Sequence, residues 1–79
     1  MKYVYILQSD QYPEHFYIGL TDDLRERLRK HNDGGVSHTS KYKPWRIKTY
    51  VAFTNGQQAI EFEKYLKSAS GRAFAKKRL

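Results

Sequence analysis

Lys2-Tyr3-Val4-Tyr5-Ile6-Leu7-Gln8-Ser9 reads as a strand that is apolar on both faces. Tyr, Val and Ile favour a pleated, extended chain. Side chains alternate across a strand, so Tyr3, Tyr5 and Leu7 share one face while Val4 and Ile6 share the other. A strand covered on two sides belongs in the middle of a sheet. Residues 10–14 follow it and contain Pro13, which predicts a hairpin loop. His15-Phe16-Tyr17-Ile18-Gly19-Leu20 then reads as a second strand. Gly19 inside it marks a bulge or a close backbone approach.

Thr21-Asp22-Asp23 is expected to open a helix, with Thr21 as its cap and the aspartates on the positive end of the dipole. That helix runs through Asn32 and stops at Asp33-Gly34-Gly35. A polar, basic loop leads from Val36 to Pro44. From Trp45 to Phe53, Trp45, Ile47, Thr49, Val51 and Phe53 alternate with Arg46, Lys48, Tyr50 and Ala52, the pattern of a half-buried strand. Thr54-Asn55-Gly56-Gln57 resembles a capping box and predicts a second helix to about Ala69. Ser70-Gly71 is expected to break it, leaving a short basic helix over Arg72 to Leu79. The order strand, strand, helix, strand, helix, helix gives an α+β fold, a three-stranded antiparallel sheet flanked by helices, with residues 1–79 as a single domain.

The 79 residues include no cysteine, which excludes disulfides, thiolate metal sites and a cysteine nucleophile. No apolar run approaches the roughly 20 residues that cross a bilayer. The short run after Lys2 lacks a small-residue cleavage site, so no signal peptide is expected. A cytoplasmic monomer without membrane contact follows as the simplest expectation. Fifteen Lys and Arg oppose eight Asp and Glu, a net charge of +7 that favours a polyanionic partner. Seven tyrosines, four phenylalanines and one tryptophan suit base stacking as well as packing. The plain alternative is a solvated basic surface on a small aromatic core.

Helical faces single out three polar residues. At 100° per residue, Leu24 and Leu28 define the apolar stripe of the first helix. Arg27 and His31 flank that stripe one turn apart, whereas Arg25, Glu26, Arg29 and Lys30 point to solvent. On the second helix Ala59, Phe62 and Leu66 form the apolar face, and Glu63 falls inside it. A carboxylate there costs several kcal/mol, on the order of a buried charge, unless it is paired or metal-bound. One reading is a Glu63–Arg27 ion pair tying the helices together. The other is a carboxylate metal ligand beside an arginine that stabilises phosphate charge. Tyr3, Tyr5, Tyr17 and Tyr50, taken singly, read as core residues with hydroxyls at the rim.

Together these residues resemble the GIY-YIG endonuclease family. The first half-motif is Tyr3-Val4-Tyr5 followed by Ile6-Leu7; the second is Tyr17-Ile18-Gly19 followed by Leu20-Thr21, one short hairpin later. The arginine follows as Arg27 in Leu24-Arg25-Glu26-Arg27-Leu28-Arg29-Lys30-His31-Asn32, and the acidic residue in Ala59-Ile60-Glu61-Phe62-Glu63-Lys64. The likeness covers nearly the whole chain. It is to small stand-alone bacterial members of the YhbQ-like kind, with the nuclease domain of eukaryotic structure-specific resolvases as a further relative. What the resemblance implies is a sheet carrying both tyrosines, with Arg27 and Glu63 on flanking helices. Tyr5 and Tyr17 would line the site, Tyr17 as the partner of the attacking water. Arg27 would hold the scissile phosphate, and Glu63 would bind one divalent metal, Mg²⁺ or Mn²⁺. His31 would act with a tyrosine as general base.

The implied activity is metal-dependent hydrolysis of phosphodiester bonds in DNA by in-line attack of water, without a covalent enzyme intermediate. Selection would be by structure rather than sequence, in DNA repair or recombination, with a protein partner for targeting. A tyrosine with a pKa near 10 is a poor base. A guanidinium or metal beside it would lower that pKa, or a neutral histidine would take the proton. The alternatives are a catalytically weak nucleic-acid-binding module of the same fold, and a basic protein that binds ribosomal RNA or a protein. Two departures stand out: the first half-motif is Tyr-Val-Tyr rather than Gly-Ile-Tyr, and no asparagine follows Asn55. Lys41, Lys43 and Arg46, in a loop mixing cations and aromatics, are expected to follow a nucleic-acid backbone. The other reading of that loop is an ordinary solvated segment in which Trp45 anchors the next strand.

Overall fold

The apolar strand does occupy the middle of the sheet. In the computed structural model, which describes residues 1–79, the elements are β1 (Lys2–Ser9), β2 (Phe16–Thr21), α1 (Leu24–Asn32), a 3-10 turn (Ser40–Tyr42), β3 (Trp45–Phe53), α2 (Gly56–Lys67) and α3 (Ala69–Arg78). The sheet order is β2-β1-β3, with both pairings antiparallel. The predicted α+β architecture is therefore present. Val4, Tyr5, Ile6 and Leu7 are all buried, as two covered faces require. On one face Val4 and Ile6 pack with Ala59 and Leu66 of α2; on the other Tyr5 and Leu7 pack with Trp45, Leu24 and Leu28. Both clusters are small, the thin core expected of so short a chain.

The alternating stripe of β3 serves both faces. Leu7 pairs with Ile47, but Ile6 pairs with Thr49, so Lys48 is the extra residue of a bulge. A shift of one residue exchanges the faces of a strand. Trp45 and Ile47 thus join the Tyr5 cluster, while Phe53 packs against the Val4 cluster. No helix is long and apolar enough to cross a membrane.

Several boundaries differ from the sequence expectation. β2 starts at Phe16 rather than His15, and Thr21 ends it, opposite Tyr3. The α1 cap is Asp23, whose carboxylate accepts from Glu26 N at 3.1 Å. Thr21 instead accepts from Asp23 N at 3.1 Å and shapes the approach. Asn55 caps α2, accepting from Gln58 N at 3.0 Å. The break between α2 and α3 falls at Ser68, which accepts from Gly71 N at 3.1 Å, and not at Ser70-Gly71. Gly71 lies inside α3 because the helices touch there. A Cβ at this position would stand 1.7 Å from the Tyr65 carbonyl oxygen. This glycine serves a close approach, where sequence reasoning expected a helix breaker.

Candidate active site

Tyr5 and Gly19 are directly opposed across the β1–β2 ladder. Gly19 is buried, and a Cβ built on it would lie 2.3 Å from the Tyr5 hydroxyl oxygen. The missing side chain is the space that the phenol occupies. Because β2 is an edge strand, the hydroxyl is carried toward the side of the sheet. There α1 approaches from the Tyr5 face and α2 from the Val4 face.

Two groups bond to that hydroxyl, and the charge of a third acts on it. Arg27 donates Nε–H to it at 3.3 Å. His31 Nε2 lies 3.1 Å away. Glu63 is near enough for its charge to act on the phenol. The Tyr17 ring completes the group, 6.4 Å from the Tyr5 ring and 4.9 Å from the imidazole. The α1 face derived from periodicity is observed: Arg27 and His31 turn inward, while Arg25, Glu26, Arg29 and Lys30 are exposed.

His31 is fully buried. Its Nδ1 sits 2.7 Å from Thr39 Oγ1, and that hydroxyl donates to the Val36 carbonyl at 3.2 Å. With the Thr39 proton so engaged, Oγ1 accepts from Nδ1–H. The bonding pattern assigns the Nδ1–H tautomer and leaves the Nε2 lone pair to accept from Tyr5 O–H. Thr39 is held in turn by Trp45, whose indole donates to the Thr39 carbonyl at 2.8 Å. Asn32 brackets Trp45, donating to its carbonyl at 3.0 Å and accepting from its N–H at 2.6 Å. Sequence reasoning missed Thr39. It lies in an aperiodic loop, and no spacing rule connects it to a histidine eight residues earlier.

Electrostatics set the protonation states. Burial, reinforced by the Arg27 charge, pushes the His31 pKa below its ordinary value, so the imidazole is neutral at pH 7. Burial also raises the Tyr5 pKa, outweighing the Arg27 hydrogen bond and charge that lower it. The guanidinium does pull the phenol's pKa down, as expected, but desolvation outweighs it at this buried position. The Arg27 pKa is raised, chiefly by its hydrogen bond to Tyr5.

The depressed His31 pKa has a consequence for stability. The unfolded chain binds the His31 proton near pH 6.5, whereas the folded chain binds it only at lower pH. Between those values unfolding takes up a proton. This contribution is thus full above about pH 6.5 and is lost as pH falls through the window below it. Urea midpoints measured from about pH 7.5 down to about 5.5 should decline. The decline should be shallower in His31→Gln; an unchanged slope would contradict the buried neutral imidazole.

Arg27 and Glu63 do not form the ion pair that helical faces alone permitted. Glu63 pairs with Lys67 one turn along α2 at 3.1 Å, and its side chain is 19% exposed. Arg27 has no carboxylate partner. Glu63 is the carboxylate of the site, and no group of three or more His, Cys, Asp or Glu is arranged to hold a metal. A hard cation such as Mg²⁺ typically keeps several waters and takes one or two carboxylates plus substrate phosphates. The donor set fits a divalent ion completed by water and phosphate, and the exposed Lys67 is easily displaced.

None of the cations expected to follow a backbone is bonded to a residue of this cluster. Arg46 pairs with Asp10 and donates to Gln8 at 3.1 Å. The Lys41 ammonium lies 5.7 Å from the Tyr42 ring centre, and that of Lys43 lies against Gly34.

Comparison with known proteins follows the same outline. The model of the GIY-YIG catalytic domain matches residues 1–78. Over 67 residues the chain is 42% identical to the structure-specific endonuclease subunit SLX1 of Scheffersomyces stipitis, covering 76% of this chain and 20% of that protein. Over 68 residues it is 35% identical to a UPF0213 protein of Clostridium perfringens, covering 85% of this chain and 71% of that protein. The solution NMR structure of a UPF0213 protein from Bacillus halodurans matches with a TM-score of 0.57 at 32% identity, over 96% of this chain and 81% of that one. The chain spans about a fifth of the length of the endonuclease subunits it matches.

Proposed function

Because the chain belongs to the GIY-YIG family, we propose that it is an endonuclease that hydrolyses phosphodiester bonds in DNA with the help of a divalent metal, Mg²⁺ or Mn²⁺. The observation that carries this reading is a guanidinium without a carboxylate, bonded to a phenol that is bonded in turn to a neutral imidazole. Such a set suits phosphoryl chemistry. Arg27 binds the scissile phosphate and meets the charge that builds on its oxygens. Tyr17, more exposed than Tyr5, orients the attacking water. The water proton passes to the Tyr5 oxygen as the Tyr5 proton moves to His31 Nε2, leaving an imidazolium that Thr39 holds in place. Glu63 would hold the metal, which when bound neutralises charge on the phosphate and leaving oxygens.

Structure-selective cutting, in repair or recombination and with a protein partner for targeting, is the finer part of the proposal. It takes its support from relatives named as structure-specific endonuclease subunits. The basic composition, +7 over 79 residues, supports a nucleic-acid substrate. The test is cleavage of labelled duplex, single-stranded and branched DNA in Mg²⁺ or Mn²⁺, with an EDTA control. Glu63→Gln keeps shape and removes the anionic ligand. It should lose cleavage by about a hundredfold or more, as loss of a developing-charge contact does, while folding is retained. Salt-sensitive binding with no cutting by the unaltered chain would instead support a nucleic-acid-binding module.

A further inference from the structure

A second feature lies beside the site and is not used by the chemistry above. An open cleft of about 990 Å³ runs between the β1–β2 hairpin and α3. Ile18 and Ala75 contribute to its apolar lining, and Lys48, Lys67, Arg72 and Lys76 line it against one carboxylate, Glu14. Arg72 and Lys76 have no carboxylate partner. They are also one turn apart on α3, where like charges repel and weaken the helix. An anion between them would remove that repulsion. Phe16 stands in the same lining and is 50% exposed although it belongs to a strand. The cleft adjoins the site at two residues: Tyr17 lines both, and Lys67 lines the cleft while bonded to Glu63.

We propose that this cleft carries a single strand of nucleic acid away from the cleavage site, with Arg72 and Lys76 on successive phosphates and an unpaired base stacked on Phe16. The inference rests on the nucleic-acid reading above. Four cations favour a polyanion over a neutral ligand. An exposed aromatic beside them favours a strand whose bases are free to stack. A duplex keeps its bases paired and would leave Phe16 unused.

Binding in EDTA tests this apart from catalysis. Labelled single-stranded and blunt duplex DNA are titrated over a range of salt with the unaltered chain, with R72Q/K76Q, with F16A, and with R25Q/K30Q as a control of equal charge. All the altered side chains are exposed, and circular dichroism checks folding. R72Q/K76Q is expected to lower the salt slope for single strands by about 1.4, two phosphate contacts' worth, well beyond the control. F16A should weaken single-strand binding about tenfold and leave duplex binding unchanged. Equal effects from the cleft and control variants, or a loss confined to duplex, would overturn the proposal. Cleft-dependent binding by a chain that cuts nothing would sink the nuclease reading, and with it the cleavage site the strand leaves, while the cleft would stand as a single-strand binding site.

Discussion

Arg27→Ala is expected to slow DNA cleavage about a thousandfold without unfolding the protein. The side chain is half-buried and makes no ion pair, so little of the fold depends on it. In the proposed mechanism its contribution lies in the unmatched charge. A guanidinium directed at a transferring phosphoryl group is worth on the order of 10³ or more in rate. Arg27→Lys keeps the charge and loses the planar fork, so it should recover only part of the activity. A second readout ties the loss to this place. The Arg27 charge helps hold the His31 pKa down. Removing it should raise that pKa, as followed by NMR titration of the imidazole. Normal cleavage by a folded Arg27→Ala protein would remove arginine from the chemistry. Lost cleavage with an unmoved His31 titration would mean that the geometry around Tyr5 is wrong.

Gly19→Ala should cost about 1–3 kcal/mol of stability, the range for overfilling a packed site. In a domain of this size that lowers Tm by about 4–8 °C per kcal/mol. The sign is informative, because glycine within a strand is ordinarily weaker than alanine by roughly 0.5–1 kcal/mol. The new methyl would meet three atoms of the Tyr5 phenol, the nearest at 2.3 Å. The ring is 1% exposed and its hydroxyl is tied to His31, so it has little room to move. Cleavage should fall with stability, since the same collision displaces the hydroxyl. A double-mutant cycle with Tyr5→Leu isolates the contact: shortening Tyr5 should relieve much of the alanine penalty. Strictly additive losses, or a stabilised Gly19→Ala, would show that β2 bows away freely and that the phenol does not need the glycine.

Much of this architecture was legible from residues 2–21 and the three apolar periodicities. The spans of β1 and β3 match their sequence boundaries, and β1 is central because it is apolar on both faces. The α1 and α2 stripes by themselves place Arg27, His31 and Glu63 toward the sheet, since periodicity records which way a side chain points. Caps were less legible. Thr21 and Asp23 are both good N-caps, and the choice between them depended on where β2 stopped pairing with β1.

The partner of each inward-facing group was decided only by the tertiary structure. Helical faces allowed Glu63 to meet Arg27, but the fold pairs it with Lys67 and leaves the guanidinium free. Thr39, which orients His31, reaches it through a loop with no periodicity. The Lys48 bulge divides one apolar stripe between two cores, and Gly71 packs against Tyr65 inside a helix. The distinction has a single physical origin. Local sequence sets the direction of a side chain through the repeat of its own element. What that side chain then meets depends on register, helix position and loop path, which are fixed by contacts between residues far apart in the chain.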